Sequence, residues 1–184
     1  KGCTTAGVCG KTSETAALQD LLVYGLQGIA IYGQKARELG VTNKETDLFI
    51  IEGLFTTVTN VNFDAQKIKE IILKSYKVKE ETKKQFLDAY KQKNNTDYSG
   101  KLSEAVNWVP AESLEGLVEQ GSKVGISSIS SNEDIKSLKE LILYGMKGVA
   151  AYADHAYILG KTNDEVSAFF YKGLAALSDD SLSA

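Results

Sequence analysis

The 184-residue chain is short of the residues that most often carry reactive chemistry: one histidine, one methionine, one tryptophan, one proline and two cysteines. A single histidine leaves few routes to a metal cage or an acid–base pair. Two cysteines are too few for the disulfide framework of a small scaffold. No apolar run approaches the ~20 residues that a membrane span needs. The first residues are polar and glycine-rich, which is not the pattern of a signal peptide. Excess positive charge is missing as well. Lys and Arg number 21 against 24 Asp and Glu, a net charge of −3, which argues against nucleic acid as the main partner. The chain opens on Lys1 and reaches its first cysteine at position 3. The expectation is a piece cut from a longer protein.

What is present is ordinary for a soluble globular chain, with 43% hydrophobic and 24% charged residues. The length allows one domain or two small ones with a real core. The chain also repeats itself. Setting Leu18 on Leu138, an offset of 120 residues, aligns two long segments without a gap. Tyr24, Gly25, Gly28 and Tyr32 recur as Tyr144, Gly145, Gly148 and Tyr152; Leu39-Gly40 recurs as Leu159-Gly160, and Thr42-Asn43 as Thr162-Asn163. Glu45, Phe49, Gly53 and Leu54 recur as Glu165, Phe169, Gly173 and Leu174. One structural unit is used twice.

The unit reads as helical. Leu18, Leu22, Gly25, Ile29, Tyr32, Ala36 and Leu39 alternate spacings of four and three, the seam of a helix packed in a bundle. The second copy offers Leu138, Ile142, Gly145, Val149, Tyr152, Ala156 and Leu159. A glycine inside a helix costs ~1 kcal/mol relative to alanine. Its recurrence in both seams therefore predicts close approach of a neighbouring backbone, with the tyrosines filling core space nearby. Each long helix is expected to stop at Gly40 or Gly160. The next begins at Thr42-Asn43-Lys44-Glu45 or Thr162-Asn163-Asp164-Glu165, a capping-box spacing. Ile68, Ile71, Ile72 and Tyr76 predict a third helix in the first unit, while the second unit ends without one. Between the units lie a lysine-rich helical stretch near 78–93, a short helix with Pro110 in its first turn, and a turn-rich crossing from Gly121 to Ser131. No strand pattern stands out. The expectation is an all-α fold of two related helical bundles: a cysteine loop over 1–12, a first bundle with connecting helices over 13–125, and an incomplete second repeat over 126–184.

Candidate sites are few. Cys3 and Cys9 sit among Gly2, Thr4, Thr5, Ala6, Gly7 and Gly10, with five residues between them. They read as free thiols, as a short-loop disulfide, or as half of an inorganic cluster site. Small neighbours let a backbone wrap closely around a cluster and aim N–H groups at its sulfurs. Gly10-Lys11-Thr12 matches the end of a phosphate-binding loop, but Thr5 stands where the first glycine belongs and no strand precedes it. His155 aligns with Lys35, which points to a solvated or rim position. Lysines from Lys67 to Lys93 alternate with acidic residues and predict a solvated helix face, with docking of an acidic electron carrier as the functional alternative. No nucleophile–base pair or general acid–base pair is evident.

KGCTTAGVCGKTSETAALQDLLVYGLQGIAIYGQKARELG, GLFTTVTNVNFD, NEDIKSLKELILYGMKGVAAYADHA and GLAALSDDSLS, in that order, resemble the N-terminal region of the hybrid-cluster proteins, also called prismane proteins or hydroxylamine reductases. The likeness covers essentially the whole chain. The related carbon monoxide dehydrogenases share parts of the architecture, but the GCTTAGVCGK opening favours the hybrid-cluster family. The resemblance implies two spectrin-repeat-like three-helix units, the second lacking its third helix here. It implies a 4Fe–4S or 2Fe–2S cluster held by four cysteines, a C-x-x-C pair followed by a pair with five residues between. Cys3 and Cys9 match the second pair, and the first would lie upstream of Lys1. It further implies a cytoplasmic enzyme that reduces hydroxylamine to ammonia, or acts on nitric oxide, at a hybrid iron–sulfur–oxygen cluster held by later α/β domains. Partners would be those domains, a redox donor protein, and a second copy covering the incomplete bundle. The fragment alone would be inactive, and the rival reading is a helical scaffold with inert cysteines.

Overall fold

Apolar residues recurring at three- and four-residue spacings fold this chain into helices, and local caps decide where each one starts and stops. The computed structural model describes residues 9–125, 132–179 and 181. Among them are six α-helices, one 3-10 turn and no strand. No helix among the described residues is long and apolar enough to cross a membrane.

Helix α1 runs Ser13–Glu38, capped by the Thr12 side chain, which accepts from the Thr15 N–H. It ends before Gly40, whose φ of +83° only glycine adopts without strain. Helix α2, Lys44–Thr56, starts one residue later than a Thr42 cap would place it. Asn43 is the cap, because its Oδ1 accepts from both Glu45 N–H and Thr46 N–H. Helix α3, Ala65–Asn94, is one unbroken helix of 30 residues, so the lysine-rich stretch continues the third helix rather than forming a separate piece. It stops at Asn95 in the left-handed conformation. The chain then makes a 3-10 turn at Glu104–Val106 and forms α4, Leu114–Val124. Pro110 lies outside α4, contrary to the expected first-turn position. Ser113 caps the helix, and the Gln120 side chain reaches back to donate to Val109 O and accept from Ala111 N–H. The turn-rich crossing begins later than Gly121, since α4 continues to Val124, and residues 126–131 lie outside the described set. Helix α5, Glu133–Ile158, and helix α6, Asp164–Leu177, repeat the first hairpin, with Gly160 at φ +71° and Asn163 as cap.

The two hairpins pack as a pseudo-two-fold pair. Helix α1 lies against α6 and α2 against α5, and these contacts exceed those within either hairpin. The 120-residue shift exchanges the two pairings. Leu18, Leu21, Leu22, Leu26 and Ile29 of α1 are fully buried, together with Ile50 and Leu54 of α2 and Leu174 and Leu177 of α6. Each such side chain contributes about 1.5–3 kcal/mol of burial.

The symmetry breaks on the outer side of the long helices. The outer face of α1 is covered by α3, α4 and the 3-10 turn. A Cβ on Gly25 would lie 2.5 Å from Ser75 Oγ and 3.2 Å from the Trp108 ring; one on Gly28 would lie 2.8 Å from Ala105 O. At Gly145 and Gly148 the same atom would meet nothing within 4 Å. The expected core tyrosines divide accordingly: Tyr32 is buried and Tyr24 half-buried, whereas Tyr144 is 74% and Tyr152 80% exposed. Leu138, Ile142, Val149 and Leu159 are exposed with them. The second seam is a seam without a partner, because nothing among the described residues stands to α5 as α3 stands to α1.

The paired glycines give opposite expectations. Gly28→Ala should lose about 1–3 kcal/mol from overpacking against the Ala105 carbonyl. Gly148→Ala should gain about 0.5–1 kcal/mol from helix propensity in open space. Urea unfolding of both variants measures the difference, and equal shifts would contradict the asymmetry.

Candidate functional site

Cys9 is an exposed free thiol just before the first helix. Gly10 turns the chain at φ +89°, and the next residues are tethered. Lys11 Nζ donates to Gln19 Oε1 at 2.7 Å, and Gln19 Nε2 donates to Asn62 O at 2.9 Å. The Lys11 ammonium also stands 6.0 Å from the centroid of the Phe63 ring. Gln19 is buried, so this relay fixes the cysteine loop both to α1 and to the connection between α2 and α3. Cys3 lies outside the described residues. Among the described residues no group of three or more His, Cys, Asp or Glu side chains could hold a metal ion. A cluster commonly takes four thiolates. Cys9 supplies one, and the described residues do not by themselves make the site.

The remaining candidates separate by burial. His155 is exposed and meets the Phe55 ring edge-on at 5.8 Å, a rim position as its alignment with Lys35 indicated. Most lysines of α3 are solvated, but Lys79 is 1% exposed. Its ammonium donates to Val106 O at 2.9 Å and Trp108 O at 2.6 Å, lies 3.4 Å from a Glu80 carboxylate oxygen, and stands 4.8 Å from the Tyr76 ring centroid. Burial pushes its pKa down, opposed by the charge of Glu80. With donors committed to two carbonyls, Lys79 clamps the 3-10 segment onto α3 rather than presenting a base to a substrate. Nothing in its sequence surroundings distinguishes it from its solvated neighbours.

A second buried constellation joins three helices. Arg37 of α1 pairs with Asp47 of α2, its Nη2 donating to both carboxylate oxygens at 2.6 Å. Tyr171 of α6 donates its hydroxyl to Asp47 Oδ1 at 2.7 Å, and the Arg37 guanidinium lies over the Tyr171 ring at 4.6 Å. A planar guanidinium suits both the charge-assisted hydrogen bonds and the stacking. Burial, reinforced by the negative charge of Asp47, raises the Tyr171 hydroxyl well above its ordinary pKa. The repeat holds the one available signal for this triad: Arg37, Asp47 and Tyr171 align with Tyr157, Ser167 and Ile51, so all three depart from the internal consensus.

Two helical hairpins in pseudo-two-fold contact, an outer shell around one of them, and a thiol loop tethered at the start of the central helix define an all-helical module. The profile of the Prismane/CO dehydrogenase family matches residues 1–184, and the chain belongs to that family. It is 52% identical over 178 residues to a hydroxylamine reductase of Geobacter metallireducens, covering 97% of this chain and 32% of that protein. It is 48% identical over 184 residues to a hydroxylamine reductase of Halothermothrix orenii, covering 100% and 33%. Against a hydroxylamine reductase of Nitratidesulfovibrio vulgaris it is 43% identical over 179 residues, covering 97% and 32%. The chain thus spans about a third of the length of these relatives.

The triad carries a pH signature. Because the folded state holds the Tyr171 proton more tightly than the unfolded state does, its contribution is complete below the unfolded pKa of about 10 and is lost as pH rises above it. Tyr171→Phe removes the titrating group. Its stability should fall less steeply with pH above about 10 than that of the parent chain, by up to about 1.4 kcal/mol per pH unit. Denaturant titrations from neutral to alkaline pH test this, and parallel curves for the two proteins would refute it.

Proposed function

We propose that this chain is the N-terminal helical part of a cytoplasmic hydroxylamine reductase, which reduces hydroxylamine to ammonia, with nitric oxide as the alternative substrate. The observation that carries the reading is the end-to-end match to relatives bearing that name. In this reading Cys3 and Cys9 are two of the thiolates of a 4Fe–4S or 2Fe–2S cluster, and the other ligands come from elsewhere in the whole protein. Such a cluster, when bound, supplies reversible one-electron storage. The part played by this chain is to hold Cys9 at the entry to α1 through the Lys11–Gln19–Asn62 relay. The hybrid iron–sulfur–oxygen cluster and its ligands belong to the α/β domains of the whole protein, so the 184-residue chain alone is inactive as a reductase. A redox donor protein delivers electrons to the whole enzyme.

The test is iron and acid-labile sulfide per chain after anaerobic preparation, together with hydroxylamine-dependent oxidation of a reduced dye. The expected result for the isolated chain is no turnover. In the whole protein, Cys3→Ser with Cys9→Ser should remove the iron of one cluster and the dye-linked activity. Retention of both in that double variant would leave the cysteines inert and favour the scaffold reading.

The exposed outer face of α5 favours a second role beside the first, that of an interaction module. We assign that face in the isolated chain to a second copy, since Leu138, Leu141, Ile142 and Tyr152 form an exposed apolar stripe along it, the kind of surface that marks a contact between proteins. Sedimentation should show a dimer at tens of micromolar, reversed by Leu141→Lys with Tyr152→Lys. A strictly monomeric parent chain at high concentration would end this assignment.

A further inference from the structure

The pseudo-two-fold relation supplies an internal control for one cavity. Where α1, α2 and α6 meet, the space between Gly33, Ala36 and Arg37 is filled by the Tyr171 ring, and the cavity left over is about 10 Å³. The glycine is required there, since a Cβ on Gly33 would collide with that ring. Its symmetry counterpart lies where α5, α6 and α2 meet, and the corresponding residues are Ala153, Ala156, Tyr157 and Ile51. Here the cavity is about 170 Å³.

The difference has a structural cause. Ile51 stands where Tyr171 stands in the related site and is too short to fill the hole. Tyr157 replaces Arg37, and its side chain is 41% exposed rather than folded inward onto a partner. Ser167 replaces Asp47, which puts a hydroxyl where the related site has the acceptor of the Tyr171 phenol. On the first side Thr82 and Gln85 of α3 close the mouth; among the described residues nothing closes the second. Ala153, Ala156, Ile51 and Val166 give a mainly apolar wall, and Lys44, Asp47, Lys161 and Asp164 also line the cavity.

We propose that this cavity is a binding site for a single aromatic ring of the phenol class, seated as the Tyr171 ring is seated in the related site, with its hydroxyl toward Ser167. The volume suits the guest: a cavity of about 150 Å³ lined by apolar side chains takes up benzene. The proposal rests on the internal repeat and on the two cavities, and is independent of the redox reading above.

Phenol itself is the probe, followed by methyl NMR of the intact chain. Saturable shifts confined to Ile51, Ala153, Ala156 and Val166 are expected, with a dissociation constant in about the millimolar range. Ile51→Tyr supplies the missing ring from within and should weaken phenol binding at least tenfold while raising the melting temperature. Ala156→Leu blocks the cavity from another wall and serves should the first variant fail to fold. Absence of saturable shifts in the parent chain, or parent-like affinity in a folded blocking variant, overturns the proposal. Iron content plays no part in the readout.

Discussion

The burial of helix α1 along most of its middle is the constraint from which the rest of this structure follows. One helix touches α3, α4, α6 and the 3-10 turn at once, so it has almost no solvent face along its middle. That is affordable only because Gly25, Gly28 and Gly33 let three neighbours approach its backbone from different sides. The propensity cost of three glycines, about 1 kcal/mol each, is offset by the apolar surface that the neighbours remove from water. Lys79 belongs to the same arrangement. It is buried because the carbonyls of Val106 and Trp108 must be satisfied where the 3-10 segment crosses the helix.

The second hairpin shows the same sequence pattern without that environment. Helix α5 keeps the glycines, the tyrosines and the spacing, yet its outer face is open and its inner face alone, around Met146 and Ala150, is buried. A repeated pattern therefore marks a surface capable of burial; burial itself depends on what lies across from it. The inner interface, where the hairpins exchange partners, diverges in chemistry instead. One end is closed by a buried ion pair and a tyrosine hydroxyl, with every polar atom of the carboxylate engaged, as a buried charge requires. The other end carries a serine, an isoleucine and an outward tyrosine around a hole. Breaking a buried pair by losing one partner is costly, so Arg37 and Asp47 depend on each other. In the related positions they are absent together.

The thiol loop is tied to the same architecture. Its tether runs through a buried glutamine to the connection between α2 and α3, so the position of Cys9 depends on the same core that buries α1. The tether keeps Cys9 at a fixed position at the entry to α1, in a chain that spans about a third of its relatives.

Much of this was legible in the residues alone. The helical class, the two hairpins, their glycine stops and the asparagine-bearing turns are encoded by local spacing and by φ preferences that act within a few residues. The pairing of α1 with α6 rather than mainly with α2, the single span of α3, and the placing of Pro110 before its helix were not legible, since each depends on contacts between distant segments. Arg37, Asp47 and Tyr171 are individually unremarkable as residues, and so is Lys79 among the lysines of α3. Sequence by itself determined which faces could be buried and where the two hairpins turn. Only the tertiary structure decided which of two equivalent faces is covered, because burial is a property of what stands opposite a side chain and not of the side chain itself.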